Sequence, residues 1–235
     1  MAKKKNDFGP YLVPGSIIVA GLFMALAIYF SGSGTAVKTQ PTAEGNPTEP
    51  TEEIVMASVN ENDHIRGSID APVKLVEYSD LDCPFCQKVH PTLQKLVDDY
   101  DGQVAWIYRH APLASLHPNA AKKAEATECV NEIAGNDAFW SYVDLLFGTG
   151  WEASLSQLSN LAVQVGVNGA LFQECLDSDI YAQKVDDHLA DAYTAGLMGT
   201  PYTVVVAPNG DTFPVSGSQA YNVFKAAIDV ALESK

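Results

Sequence analysis

Two cysteines three positions apart, in Cys83-Pro84-Phe85-Cys86, are the residues of this chain best placed to do chemistry. They follow the apolar, β-rich run Val73-Lys74-Leu75-Val76-Glu77-Tyr78, and a helix-like segment opens behind them. Pro84 suits the first position of a helix, which leaves Cys83 at its cap. There the unpaired backbone N–H groups and the helix dipole favour a thiolate. A thiolate beside a second thiol is a redox couple that can pass a disulfide to another protein. Cys83 is then the sulfur that attacks or is attacked, and Cys86, one turn inside the helix, resolves the mixed disulfide. The same spacing occurs in metal sites, but a tetrahedral site needs two more ligands. His90 is a third by helical spacing and no fourth stands out, so the pattern favours redox chemistry without a metal or other cofactor. An inert structural disulfide is the other alternative, although so short a loop constrains the unfolded chain little.

The elements that must position this pair read as follows. A turn at Asp70-Ala71-Pro72 leads into a strand over 73–78, the cysteine loop, and a helix over 84–100. Asp101-Gly102 ends that helix, and 103–108 form a second strand. A strand–helix–strand unit of this length favours parallel pairing. Five amphipathic patterns follow: Ala126/Cys129/Val130/Ile133, Phe139/Trp140/Val143/Leu146/Phe147, Leu158/Leu161/Ala162/Val165, Leu171/Phe172/Cys175/Leu176 and Ala182/Val185/Leu189/Ala192. This spacing is helical, and Gly166 and Gly196 stop two of the helices. β character returns at 202–206. Pro208-Asn209-Gly210-Asp211 is a hairpin turn, 212–215 pair back, and 220–232 close with a helix. The order βαβ, helical block, ββα is that of one α/β domain over about 58–235, interrupted by a helical insertion at about 114–196.

Three further features bear on the dithiol. Glu77 sits in an otherwise apolar strand six residues before Cys83. It is either an exposed strand position or a buried carboxylate under the pair, its pKa raised by burial, that accepts a proton from Cys86. Gly199-Thr200-Pro201-Tyr202 reads as a plain turn or as a cis-proline loop that presents backbone to an extended substrate. Cys129 and Cys175 lie on apolar helix faces. They are either buried free thiols or a disulfide that staples two helices, and outside the cytoplasm the disulfide is favoured. The five histidines are scattered. Trp106, Trp140 and Trp151 read as core.

The chain has 235 residues, 47% of them hydrophobic, and a formal net charge of −15. Outside Lys3-Lys4-Lys5 its basic residues do not cluster, so nucleic-acid binding is not expected. Those lysines precede Tyr11–Phe30, a stretch without charge. About 20 residues at ~1.5 Å each span the ~30 Å hydrocarbon core of a bilayer. The flanking lysines place 1–10 in the cytoplasm and everything beyond the span outside it. Gly34-Thr35-Ala36 offers a cleavage pattern, so 11–30 is either a signal segment or an anchor. Its length exceeds the ~7–15 residue core of a signal peptide and favours a single transmembrane helix. Residues 31–57, rich in Gly, Ser, Thr, Pro and Glu, cannot bury enough surface to offset chain entropy and read as a disordered tether.

Taken together, Val76-Glu77-Tyr78-Ser79-Asp80, Cys83-Pro84-Phe85-Cys86, the helical insertion and Gly199-Thr200-Pro201 resemble the DsbA-like thiol:disulfide oxidoreductases, thioredoxin-fold proteins that work outside the cytoplasm. His64-Ile65-Arg66-Gly67-Ser68 and Arg109-His110-Ala111-Pro112-Leu113 extend the resemblance, which runs from about His64 to the C-terminus. It implies that Cys83 and Cys86 are the redox pair, with Glu77 as the acid–base group. It also implies that Thr200, Pro201, Pro84 and Phe85 contact substrate. The basic partner that the family carries on the second strand is missing, with Tyr108 in its place and Arg109 beside it. Phe85 stands where some members have histidine, so the Cys83 thiolate must rely on the helix N-terminus. The expected partners are reduced exported proteins, a quinone-linked reoxidase in the membrane, and the membrane itself through Tyr11–Phe30. The expected state is monomeric, since no dimerisation module is evident. A disulfide isomerase or reductase of the same fold is the near alternative. A non-catalytic, membrane-tethered module that binds peptide or metal is the distant one.

Overall fold

The computed structural model describes residues 54–149 and 153–234. The expected membrane or signal segment and most of the tether lie outside those residues. Among the described residues no helix is long and apolar enough to cross a membrane.

Five strands form one sheet in the order β1-β3-β2-β4-β5, where β1 is His64–Arg66, β2 Val73–Ser79, β3 Val104–His110, β4 Tyr202–Val206 and β5 Thr212–Ser216. β2 lies at the centre, parallel to β3 and antiparallel to β4. Both faces of the central strands are covered, which is why β2 and β4 read as near-continuous apolar runs. Side chains alternate across the sheet, so Val73, Leu75 and Glu77 share one face and Val76 and Tyr78 the other. The first face packs against α1 (Pro84–Asp99) and α7 (Tyr221–Glu233). The second packs against Ala192, Ala195 and Leu197. The strands extend slightly beyond the sequence reading, to Ser79, His110 and Ser216, because their ends remain paired across the sheet.

β1 has no signature in the sequence. It has three residues, too few to show a periodicity, and its pairing with Trp106–Tyr108 is what makes it a strand. Residues 54–57, read as the end of the tether, run against the domain. Ile54 and Met56 pack on the second face, the Ala57 N–H donates to Asp191 Oδ1 at 2.6 Å, and Arg109 Nη1 donates to the Ala57 carbonyl at 2.8 Å.

Among the described residues five α-helices make the insertion: α2 (Ala120–Ala134), α3 (Asn136–Gly148), α4 (Leu158–Gln164), α5 (Gly169–Asp177) and α6 (Ala182–Thr194). Each corresponds to one of the five periodic patterns. Buried polar contacts tie the insertion to the sheet. Glu128 on α2 accepts from His64 on β1 and His110 on β3 at 2.8 and 2.9 Å, and from Lys184 on α6 at 2.7 Å. Cys129 on α2 and Cys175 on α5 are joined in a disulfide, as the sequence favoured. Closing a loop between residues 46 apart removes conformational freedom from the unfolded chain worth about 4 kcal/mol. The double substitution Cys129→Ala/Cys175→Ala is therefore expected to lower the denaturant midpoint of the domain by an amount of that order. An unchanged midpoint would show that the bridge contributes nothing to stability.

Candidate active site

Cys83 is the N-cap residue of α1, in extended conformation, with Pro84 opening the helix. The Cys83 side chain makes no capping hydrogen bond and turns to the Thr200 carbonyl instead. The loop before it is fixed from several sides. The Cys83 N–H donates to the Asp80 carbonyl at 3.0 Å, and the Asp82 N–H donates to Asp80 Oδ1 at 2.8 Å. Asp80 Oδ2 takes the Leu113 N–H and His117 Nδ1, each at 2.8 Å. Asp82 forms a buried ion pair with Lys123 of α2. The Asp80 N–H points at Cys86 Sγ, 3.4 Å away.

Both cysteines are free thiols and both are buried, Cys86 completely. The Cys83 thiol donates to the Thr200 carbonyl at 3.4 Å, and the Thr200–Pro201 peptide is cis. The cis-proline loop therefore stands directly against the outer sulfur, and Pro201 O accepts from the Gly217 N–H. Phe85 projects into solvent with 60% of its surface exposed, and so does Met198 at 85%. Together they give the surface near the dithiol an apolar character.

The two thiols have opposite electrostatics. Cys83 is pulled down to about 6, first by the hydrogen bond that the Cys86 thiol gives it, against the opposing cost of burial. The Thr200 side chain and the N–H groups of Cys86 and Phe85 add to the effect. No cationic side chain is among these causes, which is what Phe85 in place of a histidine requires. Cys86 is pushed well above the ordinary thiol range by burial, by donating to Cys83, and by the negative charge of Glu77. Near neutral pH the outer sulfur is the thiolate and the inner one keeps its proton.

Glu77 is buried, 1% exposed, on the same face of the sheet as α1. Its exposed-strand alternative does not hold, because that face is covered by the helix. Burial pushes its carboxyl up to about 7, against the lowering influence of Ser79 and Trp106. Trp106 Nε1 donates to Glu77 Oε2 at 3.0 Å. The indole is held in turn: the Arg66 guanidinium lies over Trp106 and Trp140, Arg66 pairs with Asp144, and Asp144 accepts from His90. Trp106 was read as core, and its role at Glu77 follows from the β2–β3 register, in which Glu77 faces Tyr108. Asp80 and Ser79 likewise carried no signal beyond membership of a motif. Arg109 does not share the site. Alternation sends it to the other face, where it binds Asp63, Asp191 and the backbone of 57–58.

His90, the third ligand of the metal alternative, is spent on Asp144. Among the described residues the carboxylate and imidazole groups close enough to hold an ion are His64, His110 and Glu128, and they do not include the dithiol. Lys184 supplies a cation to that cluster.

The raised carboxyl of Glu77 ties stability to pH. Below about 4.5 it is neutral folded and unfolded; between about 4.5 and 7 only the unfolded chain ionises, so folding weakens as pH rises through that window. The full loss is about 3 kcal/mol. Glu77→Gln is thus expected to gain stability over the reduced parent protein by about 3 kcal/mol more at pH 8 than at pH 4. A difference between the two proteins that does not change with pH would contradict the buried, raised carboxyl.

A family model described as thioredoxin matches residues 59–230. Solved structures of similar fold include BdbD from Bacillus subtilis in its oxidised form. It shares 22% identity over 78% of this chain and all of that one, with a TM-score of 0.64. DsbA2 from Pseudomonas aeruginosa shares 23% identity over 75% of this chain and 98% of that one, with a TM-score of 0.62. A thioredoxin-like oxidoreductase from Silicibacter pomeroyi shares 24% identity over 75% and 95%, with a TM-score of 0.64. Among curated proteins, a stretch of 141 residues is 34% identical to part of a Na(+)/H(+) antiporter NhaA 3 from Salinispora tropica, covering 60% of this chain and 21% of that protein. The chain spans about a fifth to a quarter of the length of the curated relatives it matches. With a thioredoxin model matched over most of its length, the chain belongs to the thioredoxin family, and its fold is similar to that of the solved DsbA2 and BdbD structures.

Proposed function

We propose that the protein is a thiol:disulfide oxidoreductase that introduces disulfides into exported proteins. The observation that carries this reading is the split between the two sulfurs, Cys83 lowered and Cys86 raised, beside a cis-proline loop. A stabilised thiolate makes Cys83 a good leaving group and the reduced form favourable, which is the property of an oxidant. In the forward reaction a substrate thiolate attacks Cys83 of the Cys83–Cys86 disulfide. The S–S bond breaks, Cys86 leaves as a thiolate, and Glu77 in its neutral form protonates it. A second substrate thiolate then attacks the substrate sulfur of the mixed disulfide. The substrate disulfide forms and Cys83 departs as a thiolate. Two electrons have passed from substrate to protein.

The exposed ring of Phe85, the start of α1 at Pro84, and Thr200-Pro201 are the surfaces against which a substrate segment lies. The N-terminal segment Tyr11–Phe30 anchors the domain at the membrane with the dithiol outside the cytoplasm, and a quinone-linked membrane partner reoxidises Cys83 and Cys86. The protein acts as a monomer.

The experiment is catalysed refolding of a reduced test protein whose activity depends on its disulfides, with the oxidised protein in catalytic amount and a small-molecule disulfide as terminal oxidant. The native protein is expected to speed recovery of activity, Cys83→Ala to abolish the effect, and Cys86→Ala to accumulate a mixed disulfide through Cys83. A native protein that gives no acceleration would overturn the oxidase reading.

A further inference from the structure

A second group of ionisable side chains takes no part in the chemistry above: His64 on β1, His110 on β3, Glu128 on α2, and Lys184 and His188 on α6. The Nε2 atoms of His64 and His110 lie 2.8 and 2.9 Å from one oxygen, Glu128 Oε1. Three side chains, each at most 2% exposed, thus aim two nitrogens and an oxygen at one point. The three atoms all lie within 4.8 Å of one another. A zinc ion held at ~2.0–2.1 Å by such atoms sets them about 3.3 Å apart, so small side-chain rotations suffice to enclose it. The two rings are held in orientation by their neighbours. Phe139 stacks on His64 with centroids 3.6 Å apart, and His188 stacks on His110 at 5.6 Å. The His110 N–H donates to His188 Nδ1 and fixes the backbone there.

These contacts tie the insertion to the sheet, and two observations go further than that. The cluster already holds a cation. Lys184 Nζ donates to Glu128 Oε2 at 2.7 Å and lies 3.4 Å from His64 Nε2. His64 Nε2 therefore faces a carboxylate oxygen and an ammonium at once. With a proton it opposes the ammonium, and without one it opposes the oxygen. A metal ion removes the conflict, because nitrogen and oxygen then offer lone pairs to the same positive charge. The cluster also borders an open cleft of about 540 Å³, lined by His64, Glu128 and Lys184 together with Glu61 and Glu132. Acidic walls concentrate cations. The cleft provides a way in, a place for a fourth ligand, and room for the half-buried Lys184 to move.

We propose that His64 Nε2, His110 Nε2 and Glu128 Oε1 bind a zinc ion, with water from the cleft in the fourth position, and that Lys184 holds the place of the ion in its absence. Each imidazole carries its proton on Nδ1 and presents a bare Nε2 to the metal. Two imidazoles and a carboxylate suit Zn²⁺, whereas Ca²⁺ and Mg²⁺ take oxygen. When the ion enters, the Lys184 ammonium leaves Glu128 and turns into the cleft. The bound ion then joins β1, β3 and α2. The ligands are 46 and 18 residues apart, so no spacing motif announces them. This site does not include the dithiol, and the proposal does not rest on the oxidase reading.

The test uses the full-length protein, free of any affinity tag, with Cys83 and Cys86 oxidised to their disulfide so that no thiol competes for metal. Calorimetric titration with Zn²⁺ is expected to show one equivalent bound, and titration with Ca²⁺ none. Zn²⁺ is expected to raise the thermal midpoint, as a ligand of the folded state does. Lys184→Met removes the competing ammonium and is expected to tighten Zn²⁺ binding about 10-fold, the worth of one charged hydrogen bond. His64→Phe removes a ligand and is expected to weaken binding by at least that factor. Co²⁺ in the native protein gives a readout that needs no variant to fold: visible bands of a four- or five-coordinate nitrogen–oxygen site, without thiolate charge transfer. Absence of stoichiometric Zn²⁺ binding, a Co²⁺ spectrum of the six-coordinate aqua ion, or a Lys184→Met variant that binds Zn²⁺ no more tightly than the native protein would overturn the proposal.

Discussion

A negative charge on one buried sulfur, held by neutral donors, is the constraint from which the rest of the site follows. Cys83 gains its thiolate from the Cys86 thiol, the Thr200 side chain and the first N–H groups of α1. None of these carries a full positive charge. Each therefore has to be placed accurately, because a dipole acts over a shorter range than a charge. The loop 80–82 does that placing. Asp80 accepts from the N–H groups of Asp82 and Cys83 and reaches Leu113 and His117 ahead of α2, while Asp82 is paired with Lys123 of α2. The insertion is thus part of the redox site, not an ornament on a thioredoxin core.

The inner half of the site obeys the complementary constraint. Cys86 and Glu77 lie on the covered face of the sheet, where charge is costly, so both are held toward their neutral forms. They interact unfavourably when both are ionised, which couples loss of a proton from one to gain by the other. Trp106 fixes one carboxyl oxygen, and the stack of Trp106, Arg66 and Trp140 fixes Trp106. The strand register that sets β3 against β2 thus holds the buried carboxyl in place.

Much of this was legible in the residues. Proline at the helix start, the thiol spacing, and the period-2 and period-3.6 patterns located the dithiol and nearly every element. The resemblance to the DsbA-like proteins supplied the cis-proline loop and gave Glu77 its role. What the sequence hid was register and facing. β2 is apolar on both faces, so its pattern does not say which side Glu77 takes. Trp106 reads as core until β3 is set against β2, because its partner is 29 residues away. Arg109 stood beside the site in sequence and lies on the opposite face in space, bound to Asp63 and Asp191. β1 was too short to announce itself, and the anchoring of 57–58 by Arg109 depends on contacts across more than 50 residues.

Everything in the site depends on neutral donors sufficing to keep Cys83 ionised. Thiolate absorbance in the ultraviolet, followed against pH in the protein with Cys83 and Cys86 reduced and the Cys129–Cys175 bridge intact, measures this directly. The structure predicts a single transition with a midpoint near pH 6, well below an ordinary thiol. A midpoint at or above about 8.5, the value of a free cysteine, would contradict it.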